Sequence, residues 1–198
     1  MKPILPELYT WSVFNAEKRL NFNGLLLRTA HRFILIDPPA MTEADIEIVE
    51  SFGKPSRILL TNKHHTRAAA EHRERWGAKL YIHEADAPLM EIPVDGTYVD
   101  GEILWDELQA IHIPDAKTPG ECAFLWEKNA AMIVGDALLG KPAGGLSMLS
   151  DNKFKNPAAA RQGLHVLRAH KFDMLLVGDG ESILSQGKAA LEKFLEGL

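Results

Sequence analysis

Two β-rich halves, each finished by a strand and a helix, leave this 198-residue chain few ways to fold. In the first half short apolar runs recur at Leu25-Leu26-Leu27, Phe33-Ile34-Leu35-Ile36, Ile58-Leu59-Leu60 and Leu80-Tyr81-Ile82. In the second they recur at Ile111-His112-Ile113, Ala123-Phe124-Leu125-Trp126, Met132-Ile133-Val134 and Met174-Leu175-Leu176-Val177. Apolar runs of this length, bounded by Asp-Pro-Pro, Thr-Pro-Gly or Lys-Asn, read as buried strands. Helical spacing separates them. Thr42 with Asp45 forms a capping-box pattern ahead of Ile46, Val49 and Phe52, Arg67 to Trp76 is alanine-rich up to Gly77, and Asn156-Pro157 opens a helix carrying Ala160, Leu164 and Leu167. After Gly178-Asp179-Gly180 a terminal helix is predicted to carry Ile183, Leu184, Leu191, Phe194 and Leu195. Faces of this kind bury each other when two sheets pack together with helices outside, so one layered domain over residues 1–198 is expected.

Composition narrows the function classes. A net charge of −5 without a Lys/Arg stripe argues against nucleic acid as a partner. The opening MKPILPELYT has no apolar run, so neither a signal peptide nor a membrane span is expected and a cytoplasmic location is the default. A single cysteine, Cys122, builds neither a disulfide nor a thiolate zinc site, and reads as a small strand residue. Residues 139–156 are loop chemistry, and a loop of that length is usually functional or mobile. Oligomeric state is not legible.

The segment with chemical content is Ile58 to Arg67, ILLTNKHHTR, a buried strand ending in a polar loop with two histidines. Loops at strand ends are where sites are built. This segment resembles the T-H-x-H-x-D-H motif of the metallo-β-lactamase superfamily, and further landmarks follow in that family's order. Ile36-Asp37 with its turn is similar to "LIDPG", Lys117-Thr118-Pro119-Gly120 to "GHTPGS", Gly135-Asp136-Ala137-Leu138 to "GDALF" and Gly178-Asp179-Gly180 to "GHG". The resemblance covers nearly the whole chain and implies an α/β fold of the α+β layered kind, a four-layer αββα sandwich.

Carried over position by position, the resemblance places the family's metal site at Asn62, His64, Thr66, Arg67, Lys117, Asp136 and Asp179. Only His64 and Asp136 keep the family's residue type. Asn62 stands at the first histidine, Thr66 at the aspartate, Arg67 at the last histidine of the motif, Lys117 at the histidine of the second motif and Asp179 at the final histidine. A catalytic zinc requires about three protein ligands, so two are too few. Two cations at the metal position oppose a dication directly. Arg67 and Lys117 are therefore expected to pair with Asp136 and Asp179 and supply the charge a metal would bring.

Two functions follow. The first is a metal-free binding, regulatory or scaffold protein whose pocket takes a small anionic ligand through Arg67 and Lys117. The second is a divergent hydrolase of esters, thioesters, amides or phosphoesters that holds a single Zn, Fe or Mn ion at His64, Asp136 and Asp179, with metal-bound water as nucleophile. A third, a silent pocket with the outer surface at work, stays open. No catalytic residue is assigned. Of the remaining histidines, His65 reads as a surface or packing residue, His72 as part of a solvated helix face, His31 as a turn residue and His112, His165 and His170 as structural. His83 sits on a strand neighbouring the one that feeds the site, and which way it faces is left open. The four tryptophans read as core or interface residues.

Overall fold

The structure is a computed structural model that describes residues 1–29 and 32–198, so His31 lies outside the described residues. Among these, seven strands form one sheet: β1 (Lys2–Leu5), β2 (Leu8–Asn15), β3 (Leu20–Arg28), β4 (Phe33–Ile36), β5 (Arg57–Leu59), β6 (Lys79–His83) and β7 (Gly96–Tyr98), hydrogen-bonded in sequence order. Five more form the second sheet: β8 (Ile103–Leu104), β9 (Leu108–His112), β10 (Cys122–Trp126), β11 (Ala131–Val134) and β12 (Met174–Val177), in the order β12-β11-β10-β9-β8. Four α-helices flank them: α1 (Glu43–Phe52), α2 (Ala69–Trp76), α3 (Pro157–Gly163) and α4 (Gly187–Glu196).

Side-chain alternation explains the layers. On β3 Leu25 and Leu27 turn inward while Leu26 turns out, and on β10 Cys122, Phe124 and Trp126 turn inward while Ala123 and Leu125 turn out. The inward set, with Ile34, Ile36, Ile133 and Leu176, fills the space between the sheets. Leu26, Leu35, Ile58 and Leu80 face Ile46 and Val49 of α1 and Ala69 and Trp76 of α2. Met132, Val134 and Leu175 face Leu164 and Leu167, just past α3, and Leu191 and Leu195 of α4. Strands apolar on both faces read as unbroken apolar runs, which is how they appear in the sequence. The expected αββα sandwich is the observed one, and no helix among the described residues is long and apolar enough to cross a membrane.

Some local expectations need correction. The terminal helix begins at Gly187, because Ile183 pairs with Leu175 in a short bridge and Gln186 is left-handed; Leu184 is exposed. The helix expected from Arg67 starts at Ala69, since Arg67 has φ +40°. His72 is buried rather than solvated: its Nε2 meets the Pro39 carbonyl at 3.0 Å and its ring stacks on Trp76. The strands at residues 2–5 and 8–15 have no counterpart among the runs read from the sequence.

The sheets place the site. β4, β5 and β6 run parallel, as do β11 and β12, and the carboxyl ends of these strands lead to Asp37, to Thr61–Arg67, to Asp136 and to Asp179. Crevices outside the carboxyl ends of parallel strands are where open α/β sheets build sites.

A candidate active-site cleft floored by a charge cluster

The loop after β5 is set by its ends. Asn62, fully buried, accepts the His64 amide on its Oδ1 at 2.8 Å and so starts a 3-10 turn over Lys63–Thr66, which Thr66 closes by donating to the Lys63 carbonyl at 2.7 Å. Asp86, also fully buried, ties this turn to the next loop: its carboxylate accepts the Lys63 amide at 2.9 Å, the Thr118 hydroxyl at 2.8 Å and the Gly120 amide at 2.9 Å. Asp86→Ala strands two buried donors and a part-buried one, and is expected to lower unfolding free energy by about 2–4 kcal/mol in urea titration. A loss under about 1 kcal/mol would mean that the two loops hold their positions without it.

The 3-10 turn directs His65, not His64, inward. His65 is 3% exposed, its Nδ1 donates to Asp37 Oδ2 at 2.6 Å, and its Nε2 faces Asp136 Oδ1 at 3.6 Å. The close approach depends on Gly178, where a Cβ would fall 2.6 Å from His65 Cε1. Burial and Arg67 push the His65 pKa down, but Asp37 and Asp136 outweigh them and raise it to about 10, so the ring is an imidazolium at neutral pH. Asp37 also accepts the Thr61 amide at 2.8 Å and the Thr61 hydroxyl at 2.6 Å. The surface or packing role expected for His65 is wrong because a 3-10 turn spaces side chains differently from an α-helical start.

Arg67 and Lys117 sit where the sequence placed them. Lys117 Nζ lies 2.6 Å from Asp136 Oδ2, and Arg67 NH2 lies 2.5 Å from Asp179 Oδ1. Arg67 also donates to the carbonyls of Asn23 (2.7 Å), Asp37 (3.0 Å) and Gly178 (3.2 Å), and its guanidinium covers the Phe22 ring. Four oxygens use its four terminal N–H groups, so it braces the floor and is not available to grip an anion. Asp37 and Arg67 both take positive φ without being glycine, +47° and +40°, and such strain persists only where surrounding contacts over-determine it.

Three cations thus rest on three carboxylates: His65, Arg67 and Lys117 on Asp37, Asp136 and Asp179. Burial would raise the Asp136 pKa, but His65 and Lys117 hold it well below the usual carboxylate range. Burial raises Asp179 despite Arg67 beside it. Glu121 is fully buried with no hydrogen-bond partner on Oε2, and burial and Asp136 push its pKa well up, which makes it a neutral acid. No sequence signal marked Glu121.

Above the floor opens a cleft of about 560 Å³. Five of the seven positions read from the sequence line it: His64, Arg67, Lys117, Asp136 and Asp179; Asn62 and Thr66 serve the turn instead. His64 is exposed at the lining, and burial together with Lys117 lowers its pKa. His83 does not line the cleft; it stacks on His112 with ring centroids 4.9 Å apart. None of the tryptophans lines it either. The loop at 139–156, whose relation to the pocket the sequence left open, forms one wall. It is closed by Leu139–Ser147 hydrogen bonds and pinned to the floor by Gly140, whose amide donates to the Asp179 carbonyl at 2.9 Å. A Cβ at Gly140 would meet the Glu181 carbonyl.

A family model described as the metallo-beta-lactamase superfamily matches residues 1–198. The chain belongs to the metallo-β-lactamase superfamily. Solved structures agree in fold. TTHA1623 in a di-iron-bound form is 25% identical with a TM-score of 0.71 and covers 91% of this chain and 96% of its own. The metallo-beta-lactamase family protein TTHA1429 from Thermus thermophilus is 20% identical with a TM-score of 0.73, covering 98% and 80%. A metallo-beta-lactamase from Pontibacter korlensis is 17% identical with a TM-score of 0.75, covering 98% and 96%. No curated protein matches the chain.

In this superfamily member one group among the described residues could hold a metal ion: His65, Asp136 and Asp179, with ligand atoms within 4.8 Å of one another. The residual set read from the sequence therefore has His65 in place of His64. Each of these donors already faces a charged partner. Asp136 Oδ2 is held by Lys117, Asp179 Oδ1 by Arg67, and His65 carries protons on both nitrogens.

Proposed function

We propose that this protein works without a metal and uses its cleft to bind a small anionic ligand. The observation that carries the reading is the placement of Lys117 and Arg67 on Asp136 and Asp179, at 2.6 and 2.5 Å, with His65 as a third internal cation. Metal binding requires free carboxylates and a neutral imidazole, and here it would have to displace three fixed cations. The lining supports the anion. It carries five cationic side chains, Lys18, Arg67, Lys117, Lys141 and Lys153, against Asp136 and Asp179, in a chain whose net charge is −5. Both carboxylates are already paired, whereas Lys141 and Lys153 have no carboxylate within 4 Å among the described residues. Positive charge gathered in a cleft with low-dielectric walls concentrates anions there.

The second reading is a metal-dependent hydrolase, favoured by the grouping of His65, Asp136 and Asp179 and by the di-iron-bound form of TTHA1623. Elemental analysis of the purified protein, before and after incubation with zinc, iron or manganese, separates the two. The expected result is metal far below one ion per chain in every case. A stoichiometric ion that survives dialysis overturns the metal-free reading and makes the hydrolase the better one.

A further inference from the structure

The cleft's walls say more about its ligand than that it is charged. Leu20 and Phe22 stand two residues apart on β3, on one face and about 7 Å along the strand. Phe22 pairs across a bridge with Asp179, so this apolar wall begins at the charged floor and runs outward to Lys18. The 139–156 loop adds Leu139, Met148 and Leu149 to the lining. The unpaired Lys141 and Lys153 belong to that same loop and are exposed, and Lys153 is near enough to the β2–β3 turn to help Lys18 lower the pKa of Glu17. Charge at the floor is compensated and Lys18 at the rim is paired with Glu17 at 2.8 Å, whereas Lys141 and Lys153 have no carboxylate within 4 Å among the described residues, and apolar side chains share the lining with them.

A bare inorganic anion would use the rim and leave those walls wet. We infer that the ligand is an amphipathic organic anion, an aliphatic or aromatic body against the Leu20–Phe22 and Met148–Leu149 walls with a carboxylate or phosphate head on Lys141 and Lys153. This rests on the anion reading above. Lysine ammonium groups are flexible point charges that accept either head, whereas the apolar walls distinguish bodies by the surface they bury.

Isothermal titration of the full chain tests it with inorganic phosphate, butyrate, hexanoate, octanoate, hexyl phosphate and hexanol. Full burial of each added methylene strengthens binding by about fourfold, so the methylenes that octanoate adds to butyrate set a ceiling of about 250-fold, and with part of the chain left in water octanoate is expected to bind some tenfold to a hundredfold tighter. Leu149→Asn and Leu20→Asn should flatten that dependence while leaving phosphate binding in place, and Lys153→Gln should weaken every anion while preserving the slope. Equal affinity from butyrate to octanoate overturns the amphipathic ligand but leaves an anion site standing. Hexanol binding as tightly as hexanoate, or no binding of any anion, overturns the anion reading and this inference with it.

Discussion

Asp37→Ala is expected to lower unfolding free energy by about 3–5 kcal/mol, the range for breaking a buried, hydrogen-bonded charge pair. Asp37 is 2% exposed, and its two oxygens serve the Thr61 amide, the Thr61 hydroxyl and His65 Nδ1 at 2.6–2.8 Å. Alanine leaves all three donors in a dry space and strips the imidazolium of its nearest countercharge. The charge balance then fails, with three cations against Asp136 and Asp179. Urea titration followed by circular dichroism measures the loss, and Asp37→Asn separates its causes. The amide preserves shape and can still accept, so it should recover part of the stability while His65 reverts to a neutral ring. If alanine costs less than about 1 kcal/mol, the floor is not held together by this carboxylate.

Raising the pH from 6.5 to about 10 should remove stability on the order of a few kcal/mol through His65. The sign follows from the shift. A histidine whose folded pKa lies above its unfolded value binds its proton more tightly when folded, so its contribution is complete below 6.5 and is lost as pH rises through about 10. Glu121 acts in the same direction: its folded pKa is raised, so its favourable contribution is present below 4.5 and falls away as pH rises from there. Asp136 is opposite, since its pKa is lowered and its contribution is lost as acid is added. Glu121→Gln removes the second alkaline source and should leave the His65 window intact. Stability that is flat between pH 6.5 and 10 in both the wild type and Glu121→Gln would show that His65 is neutral in the folded protein. That result would reopen the metal question, because a neutral Nε2 has a lone pair to offer.

Both effects have one physical root. The two sheets bring the ends of their strands to one edge, where Asp37, Asp136, Asp179 and Glu121 converge within a largely dry floor. Something positive must accompany them, or they must take up protons. Lys117, Arg67 and His65 answer the first need for three of the four, and Glu121 takes the second course.

The sandwich was legible in the chain's apolar pattern, because runs that serve two faces have few other ways to be buried. So was the place of the site. Motif position and charge also led to Arg67 and Lys117 lying beside Asp136 and Asp179, but that Lys117 meets Asp136 and Arg67 meets Asp179 was decided by the tertiary structure. That His65 rather than His64 is the buried imidazole emerged only in three dimensions. A one-residue choice inside a 3-10 turn depends on Asn62 capping the His64 amide and on Gly178 leaving room for the ring, and Gly178 lies on the far side of the chain, after β12. The same holds for Arg67, whose four carbonyl and carboxylate acceptors come from β3, from the turn after β4 and from the loop after β12. Periodicity reports which face of an element is buried. It carries no record of which distant backbone oxygen will be there to meet a side chain, and in this protein that meeting separates a brace from a ligand-binding residue.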